Sequence, residues 1–557
     1  MNRFAVVIAA ALVVVVVALV ALNREAHTFD PGSAPTLDDM GDRVGAEVMQ
    51  LVYDGNVPDR TGEILLVGKP DHYLGPDVDL TQYGTATPVT FTSHPNPWSY
   101  LARVPLVVVP ARGTNPCGSG CHRSDHVDLT ALAPTYARLM HTPFSADGSP
   151  LPGLDYDGTA PKLIFTIVID GGGWNVLQRF PDAWPNIRAL MDRGIVYDNA
   201  LNGSFPAQTG SIHGNIGTGD YPRTHGVAYN YWFEDADPQY LRVPTIGDVW
   251  DQRNDNRAIV GTISVLSNHL AMIGHGAQMA GGDHDVGVIW DDENQRWFTN
   301  TDYYSIPKYM TKTHRARLER YEAQNDDRDG LHDGTWFGNA PESLTEGLKR
   351  SSAPSFEHYE GDDIVRYIRS HPLGRDDITD LFYVQFKSPD QAGHIWNMDY
   401  PEIGDVLKEA DNQIGRIVAT LDDVVGAENY VLALTADHGQ QPLAEGSGGW
   451  MINSKEVERD VEREFDVEAR VRSHQLNITS LNGASIEDIA RYLGSYTLGE
   501  NIPDSIPGAD RVPEARRNET LFAGAFPTGW LADLTPEQLS DFGDSSYPEG
   551  SLFLDGK

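Results

Sequence analysis

The sequence predicts an α/β fold in which a mostly parallel central sheet is covered by helices on both faces, with an inserted cap region. Three observations predict it. From Lys162 onward, apolar runs of strand length alternate with helical stretches, as in consecutive βαβ units. The runs at 163–169, 381–386 and 430–435 are apolar almost throughout, the composition of strands buried on both faces. Each ends in an acid-bearing turn, Asp170-Gly171-Gly172-Gly173, Ser388-Pro389-Asp390 or Ala436-Asp437-His438-Gly439, and ligands of such sheets gather beyond the carboxyl ends of the strands.

The elements follow in chain order. Residues 4–22 are unbroken apolar sequence behind Arg3, close to the ~20 residues that cross a bilayer. No small-x-small cleavage site follows. The expectation is therefore a signal anchor over 1–28 that holds the catalytic body outside the cell membrane, or a secreted protein if the segment is removed. Residues 23–45 read as a polar linker and 42–53 as a helix, followed by short strands at 63–68 and 88–92 and a buried strand within 103–110. Cys117 and Cys121 are the only cysteines, and in an exported chain they fit a disulfide pinning a glycine loop. A helix is expected over 127–140, with Pro134 near its first turn.

Downstream, a strand ends at Asp170, a helix covers 184–193, a Gly-rich turn at Thr209 opens another helix, and further elements fall at 246–250 and 258–263. Residues 280–360, poorly periodic and rich in Asp, Gly, Trp and Tyr, read as a lid inserted over the site. Within them Asn325-Asp326-Asp327-Arg328-Asp329-Gly330 opens like a calcium loop but lacks the closing Glu, and reads as a solvated acidic turn. Helices are expected at 405–421 and 454–465, and surface wrapping after Tyr496.

Eighty acidic residues against 42 basic ones give a formal net charge of −38. That balance excludes binding of duplex nucleic acid through a basic surface. It leaves room for a small anionic substrate, because bound divalent cations would dominate the field around them. Asp and His ligands without cysteine suit Zn²⁺ or Mn²⁺, and two such ions can hold the attacking and leaving oxygens of an in-line displacement.

The pieces that carry chemistry are Ile169-Asp170-Gly171, Phe205-Pro206-x-x-Thr209-x-x-x-His213, Tyr221-Pro222-x-x-His225-Gly226, Pro389-Asp390-x-x-Gly393-His394 and Thr435-Ala436-Asp437-His438-Gly439. In residues and spacing they resemble the alkaline phosphatase superfamily, and within it the type I phosphodiesterase/nucleotide pyrophosphatase family. The resemblance implies a two-metal site, with two Zn²⁺ or possible Mn²⁺ in their place. Asp170, Thr209, Asp437 and His438 would surround the ion beside the Thr209 nucleophile, and Asp390 and His394 would hold the other. Asn230 stands where the family places a donor to a non-bridging phosphoryl oxygen. The reaction implied is hydrolysis of a small phosphoester through a phosphothreonine intermediate.

The family's second ion needs a third histidine, normally downstream of Asp-His-Gly. Only His474 follows, whereas His94, in Thr92-Ser93-His94-Pro95-Asn96-Pro97-Trp98, has the surroundings of that ligand in bacterial members. The resemblance therefore assigns His94 and implies a circularly permuted chain. Residues 29–160 would correspond to the usual C-terminal part, and 161–557 would form the main catalytic region with a cap at about 265–360. His213, His225 and His275 read as structural or supporting residues.

Monoesterase members clamp the extra phosphate charge with Lys-x-Arg ahead of a Gly-His. Before Gly274-His275 the matching positions are Val265 and Ser267. A diester or nucleotide pyrophosphate is thereby favoured, with a phosphomonoesterase as the alternative. A sulfatase lacks its Cys or Ser motif, and a non-catalytic surface binding protein is the alternative from another class.

Overall fold

The computed structural model describes residues 29–75, 92–111, 120–154, 158–230, 238–279, 282–312, 315–329, 336, 350–503 and 506–547. The apolar 4–22 segment, most of the 88–92 strand and Cys117 lie outside these. Cys121 is disulfide-bonded. Among the described residues no helix is long and apolar enough to cross a membrane.

Among the described residues sixteen strands run in chain order: β1 (Ile64–Gly68), β2 (His72–Gly75), β3 (Leu106–Val109), β4 (Cys121–Asp128), β5 (Leu163–Ile169), β6 (Ile195–Leu201), β7 (Val260–Ile263), β8 (Asp285–Asp291), β9 (Arg296–Phe298), β10 (Tyr304–Ser305), β11 (Asp380–Phe386), β12 (Tyr430–Ala436), β13 (Trp450–Asn453), β14 (Glu468–Arg472), β15 (Gln475–Ser480) and β16 (Phe522–Pro527). The central sheet has the order β10-β8-β7-β11-β5-β12-β3-β6-β4, with β9 paired to β8. Pairing from β10 across to β12 is parallel. β3 alone is inserted antiparallel to both of its neighbours, β12 and β6.

Side chains of β5 alternate between two cores, as the period of a strand requires. Phe165, Ile167 and Ile169 join the core beneath the helices Pro185–Arg193, Pro354–Ser370 and Pro401–Val424. Ile164 and Val168 face the other way, toward Leu132, Ile212 and Ile246 of the helices Leu132–Leu139, Thr209–Thr218 and Ile246–Arg253. Thr166, the polar member of the run, shares a 2.8 Å hydrogen bond with the Tyr136 hydroxyl. A third core lies under a small antiparallel sheet, β14-β15-β1-β16.

Three expectations need correction. Residues 127–128 belong to β4; the Asp128 carboxylate accepts the Thr130 amide as the N-cap of a 3-10 turn at Leu129–Ala131, which runs into the α-helix Leu132–Leu139. The 280–360 stretch is not a lid throughout: β8 is paired with β7 and extends the central sheet. The chain after Tyr496 is not only surface wrapping, since all six residues of β16 are buried and the strand pairs with β1. Short, Gly-interrupted runs hid that strand from periodicity.

Candidate active site

Register builds the site. Ile169 at the end of β5 is paired with both Phe386 of β11 and Ala436 of β12. The next residues along the three strands, Asp170, Lys387 and Asp437, therefore leave the sheet side by side. The Asp170 amide continues the ladder with a 2.9 Å bond to the Phe386 carbonyl. Asp390 follows one turn into the helix Ser388–Trp396, which also carries His394. Gly171, at φ +70°, has to be glycine: a Cβ there would lie 2.9 Å from the Asp390 Cα.

Thr209 is the first residue of a ten-residue helix, itself almost wholly buried. Asn230 accepts the Gly210 amide at 2.7 Å through its Oδ1, which fixes the orientation of its side-chain amide beside that helix start. Residues from far earlier in the chain pass between the nucleophile loop and the His394 helix. The Thr92 hydroxyl donates to the Gly393 carbonyl at 2.9 Å, and the Ala207 amide donates to the Pro95 carbonyl at 3.3 Å. Between these two anchors lies His94.

Three imidazoles have the same tautomer. His94 Nδ1 donates to the Ala207 carbonyl (2.8 Å), His394 Nδ1 to the Thr92 carbonyl (2.6 Å) and His438 Nδ1 to the Gly439 carbonyl (2.9 Å). A carbonyl only accepts, so each proton sits on Nδ1 and each Nε2 presents a lone pair. Burial keeps His94 and His438 neutral by lowering their pKa values. Those lone pairs face carboxylate oxygens. His94 Nε2 is 3.4 Å and His394 Nε2 3.5 Å from Asp390 Oδ1, and His438 Nε2 is 3.4 Å from Asp437 Oδ2 and 3.5 Å from Asp170 Oδ1.

Asp170 Oδ1, Asp437 Oδ2 and His438 Nε2 are buried without a hydrogen-bond partner. A lone pair opposite a carboxylate oxygen is repulsive unless a cation lies between them. The edge of a tetrahedron with bonds of ~2.0–2.2 Å is about 3.3–3.6 Å, the separation seen here. Two groups of three ligand atoms come within 4.8 Å of one another, Asp170, Asp437 and His438 in one and His94, Asp390 and His438 in the other, with His394 bordering the second through Asp390 Oδ1. In the second group His438 is 3.9 Å from Asp390 Oδ1. His474 is elsewhere: it sits at φ +66° in the turn between β14 and β15, edge-on to Phe205, and burial lowers its pKa to about 3.

Four supporting residues escaped sequence reading. Lys387 Nζ lies 2.9 Å from Asp170 Oδ2, 2.6 Å from Asp390 Oδ2 and 3.3 Å from Thr209 Oγ1. Burial disfavours its ammonium, but Asp170, Asp390 and Asp437 outweigh that and raise its pKa. Gln385 donates to Asp170 Oδ2 at 2.9 Å, and Gln440 donates to Asp390 Oδ1 at 3.1 Å. His269 Nδ1 accepts the Leu266 amide, so its Nε2 donates to Asp170 Oδ2 at 3.2 Å. The available signal was polarity out of place: Gln385 interrupts an otherwise apolar strand. His213 donates from Nδ1 to the Thr209 carbonyl at 2.7 Å, His225 contacts Asn215, and His275 contacts Asp248.

The surroundings divide the charge unequally. Burial would raise Asp170 and Asp390, yet the Lys387 ammonium beside them holds both low. Asp437, which lacks that contact, is pushed well up by burial and by Asp170. The site side chains are buried except at His394, whose side chain is 29 % exposed, and at the half-buried Asn230.

Comparison with known proteins identifies a family. A family model described as type I phosphodiesterase / nucleotide pyrophosphatase matches residues 164–504. Alkaline phosphatase PhoD of Zymomonas mobilis is 26 % identical over 323 residues, covering 51 % of this chain and 54 % of that protein. Bis(5'-adenosyl)-triphosphatase enpp4 of Xenopus laevis is 20 % identical over 284 residues, covering 51 % and 48 %. The chain thus spans about half the length of these curated relatives. Among solved structures, alkaline phosphatase PafA aligns at 18 % identity with a TM-score of 0.47, over 67 % of this chain and 85 % of that one. With a family match over well more than half of its residues, the chain belongs to the type I phosphodiesterase/nucleotide pyrophosphatase family of the alkaline phosphatase superfamily.

Proposed function

We propose that the protein is a metal-dependent hydrolase of phosphodiester or nucleotide pyrophosphate bonds that works through a phosphothreonine on Thr209. The observation that carries this reading is the set of lone pairs at tetrahedral-edge spacing beside the buried Thr209 hydroxyl. Imidazole and carboxylate donors without thiolate favour Zn²⁺, with Mn²⁺ as the alternative. Bound ions would supply Lewis-acid stabilisation of the charge on the attacked group.

The chain's own residues do the rest. Thr209 Oγ1 attacks phosphorus from the start of its helix, where the first backbone N–H groups and the helix dipole favour an anion. As the Oγ1–P bond forms, the hydroxyl proton passes to water and the P–O bond to the leaving group breaks, its oxygen departing as an alcohol or nucleotide. Water then cleaves the phosphothreonine to restore Thr209. Asn230, held by Gly210, donates its amide to a non-bridging oxygen. His269 and Gln385 keep Asp170 turned toward the ion-holding side. Val265 and Ser267 supply no cations for a dianionic monoester, which favours the diester. A small anionic phosphoester is the substrate class, and the chain order supports a permuted arrangement in which 29–160 takes the place of the usual C-terminal part. The apolar 4–22 segment supports a reading in which the catalytic body lies outside the cell membrane, anchored or released.

The test uses bis-p-nitrophenyl phosphate and p-nitrophenyl phosphate side by side. The wild type should prefer the diester. Thr209→Ala should abolish turnover of both while keeping its ions. Turnover that persists in this variant removes the phosphothreonine, and a preference for the monoester makes the protein a phosphomonoesterase.

A further inference from the structure

Three carboxylates, those of Asp170, Asp390 and Asp437, are buried together, each no more than 1 % exposed. Among the described residues, the permanently charged side chain paired with them is Lys387. Its Nζ takes one oxygen of Asp170 and one of Asp390, and these are not the oxygens that face the lone pairs of His94, His394 and His438: Oδ2 of each goes to the amine, shared at Asp170 with the His269 N–H, and Oδ1 of each faces a lone pair. The lysine therefore coexists with both ion-holding groups. Its third contact is with the nucleophile, at 3.3 Å from Thr209 Oγ1. Any phosphoryl group joined to Oγ1 brings its own oxygens within reach of the same amine.

The placement also bears on what is missing nearby. The positions that carry the cationic clamp in monoesterases are Val265 and Ser267, just past β7. β7 is the direct neighbour of β11, with Ile263 paired to Val384, so the two strands deliver their next residues to the same rim. Lys387 lies at that rim but contacts Asp170, Asp390 and the Thr209 oxygen, and the clamp positions ahead of Gly274-His275 stay without a cation.

We propose that Lys387 is a further catalytic residue: a fixed cation, held by Asp170 and Asp390, that donates to the Thr209 oxygen and to the phosphoryl oxygens bound beside it. This rests on the reading of the site as a phosphoester hydrolase. It predicts that removing the charge weakens anion binding without emptying the ion sites.

The experiment compares the full-length protein with Lys387→Met and Lys387→Gln, all prepared with Zn²⁺. Gln retains N–H donors but not the charge, and circular dichroism establishes that each variant is folded. Bound Zn²⁺ is counted by atomic emission, inorganic phosphate affinity is measured by titration calorimetry, and turnover of bis-p-nitrophenyl phosphate is followed in parallel. The expected result is an unchanged ion count, phosphate affinity about 10- to 150-fold weaker, as for the loss of one charge-assisted bond, and a comparable fall in kcat. Wild-type phosphate affinity in either folded, ion-loaded variant overturns the proposal. So does loss of Zn²⁺ in both, which would make Lys387 a residue that positions the ligands. If the wild type hydrolyses neither ester but its phosphate affinity still depends on Lys387, the diesterase reading falls and the cation assignment stands.

Discussion

Two groups of three aspartates lie at opposite rims of the same sheet, and they solve the same electrostatic problem differently. Asp170, Asp390 and Asp437 gather past the carboxyl ends of β5, β11 and β12. Asp251, Asp283 and Asp285 gather at the amino end of β8, where Asp285 is the first residue of the strand. At the first rim, a cation answers part of the negative charge: Lys387 pairs with two of the carboxylates, and neutral imidazoles turn lone pairs toward carboxylate oxygens. At the second rim, protons answer it. Burial pushes Asp251 up to about 7 and Asp285 well above its ordinary value; Asp251 raises Asp285 further, whereas the hydrogen bond with Asp285 offsets part of the rise at Asp251. Three carboxyl groups within reach of one another do not make a metal centre. What distinguishes the first rim is the set of backbone carbonyls that fix each histidine proton on Nδ1.

The largest effect expected from breaking the comparison is at Asp437. Asp437→Asn keeps the shape but removes an anionic ligand whose Oδ2 has no hydrogen-bond partner. Loss of one bound ion is expected, with turnover down about 10³-fold; ion counting and kcat on bis-p-nitrophenyl phosphate check both. His94→Ala should be somewhat milder, about 10²-fold, with the other ion lost from the Asp390 side. His474→Ala serves as its control and should leave both ions bound. An intact ion count in His94→Ala would return the search for the missing ligand to the downstream chain.

The legible parts of this site were those with a local signature. An acid directly after an apolar run is visible without a structure, and parallel register makes such residues neighbours, which is why Asp170 and Asp437 were readable from strand ends alone. His94 was legible only through resemblance, since nothing in Ser93-His94-Pro95 shows that Thr92 is tied to Gly393 and Ala207 to Pro95. Lys387 stood in plain view one residue past a strand. A lysine there ordinarily reads as a solvated end, and only the pairing of Phe386 with Ile169 turns it inward against Asp170. The mostly parallel sheet was readable from its apolar runs, whereas β16 and β8 were not, because six or seven residues broken by glycine carry too little pattern.

The smallest effect belongs to the opposite rim, where Asp251→Asn tests whether protonation really replaces cations there. The folded pKa of Asp251, about 7, exceeds its ordinary value of 3.8 because of burial and the neighbouring acids. Between those values the folded chain keeps a proton that the unfolded chain releases, so stability falls as pH rises. The contribution is complete below pH ~4 and gone above ~7. Asn cannot ionise, so the variant should lose this slope: near wild-type stability at pH 5, and about 1–2 kcal/mol more stable than wild type at pH 8. Thermal unfolding at the two pH values measures it, and ion content and turnover should not change. A divalent ion lost on this substitution would show that the second rim, too, binds a cation, and the distinction between the two ends of the sheet would fail.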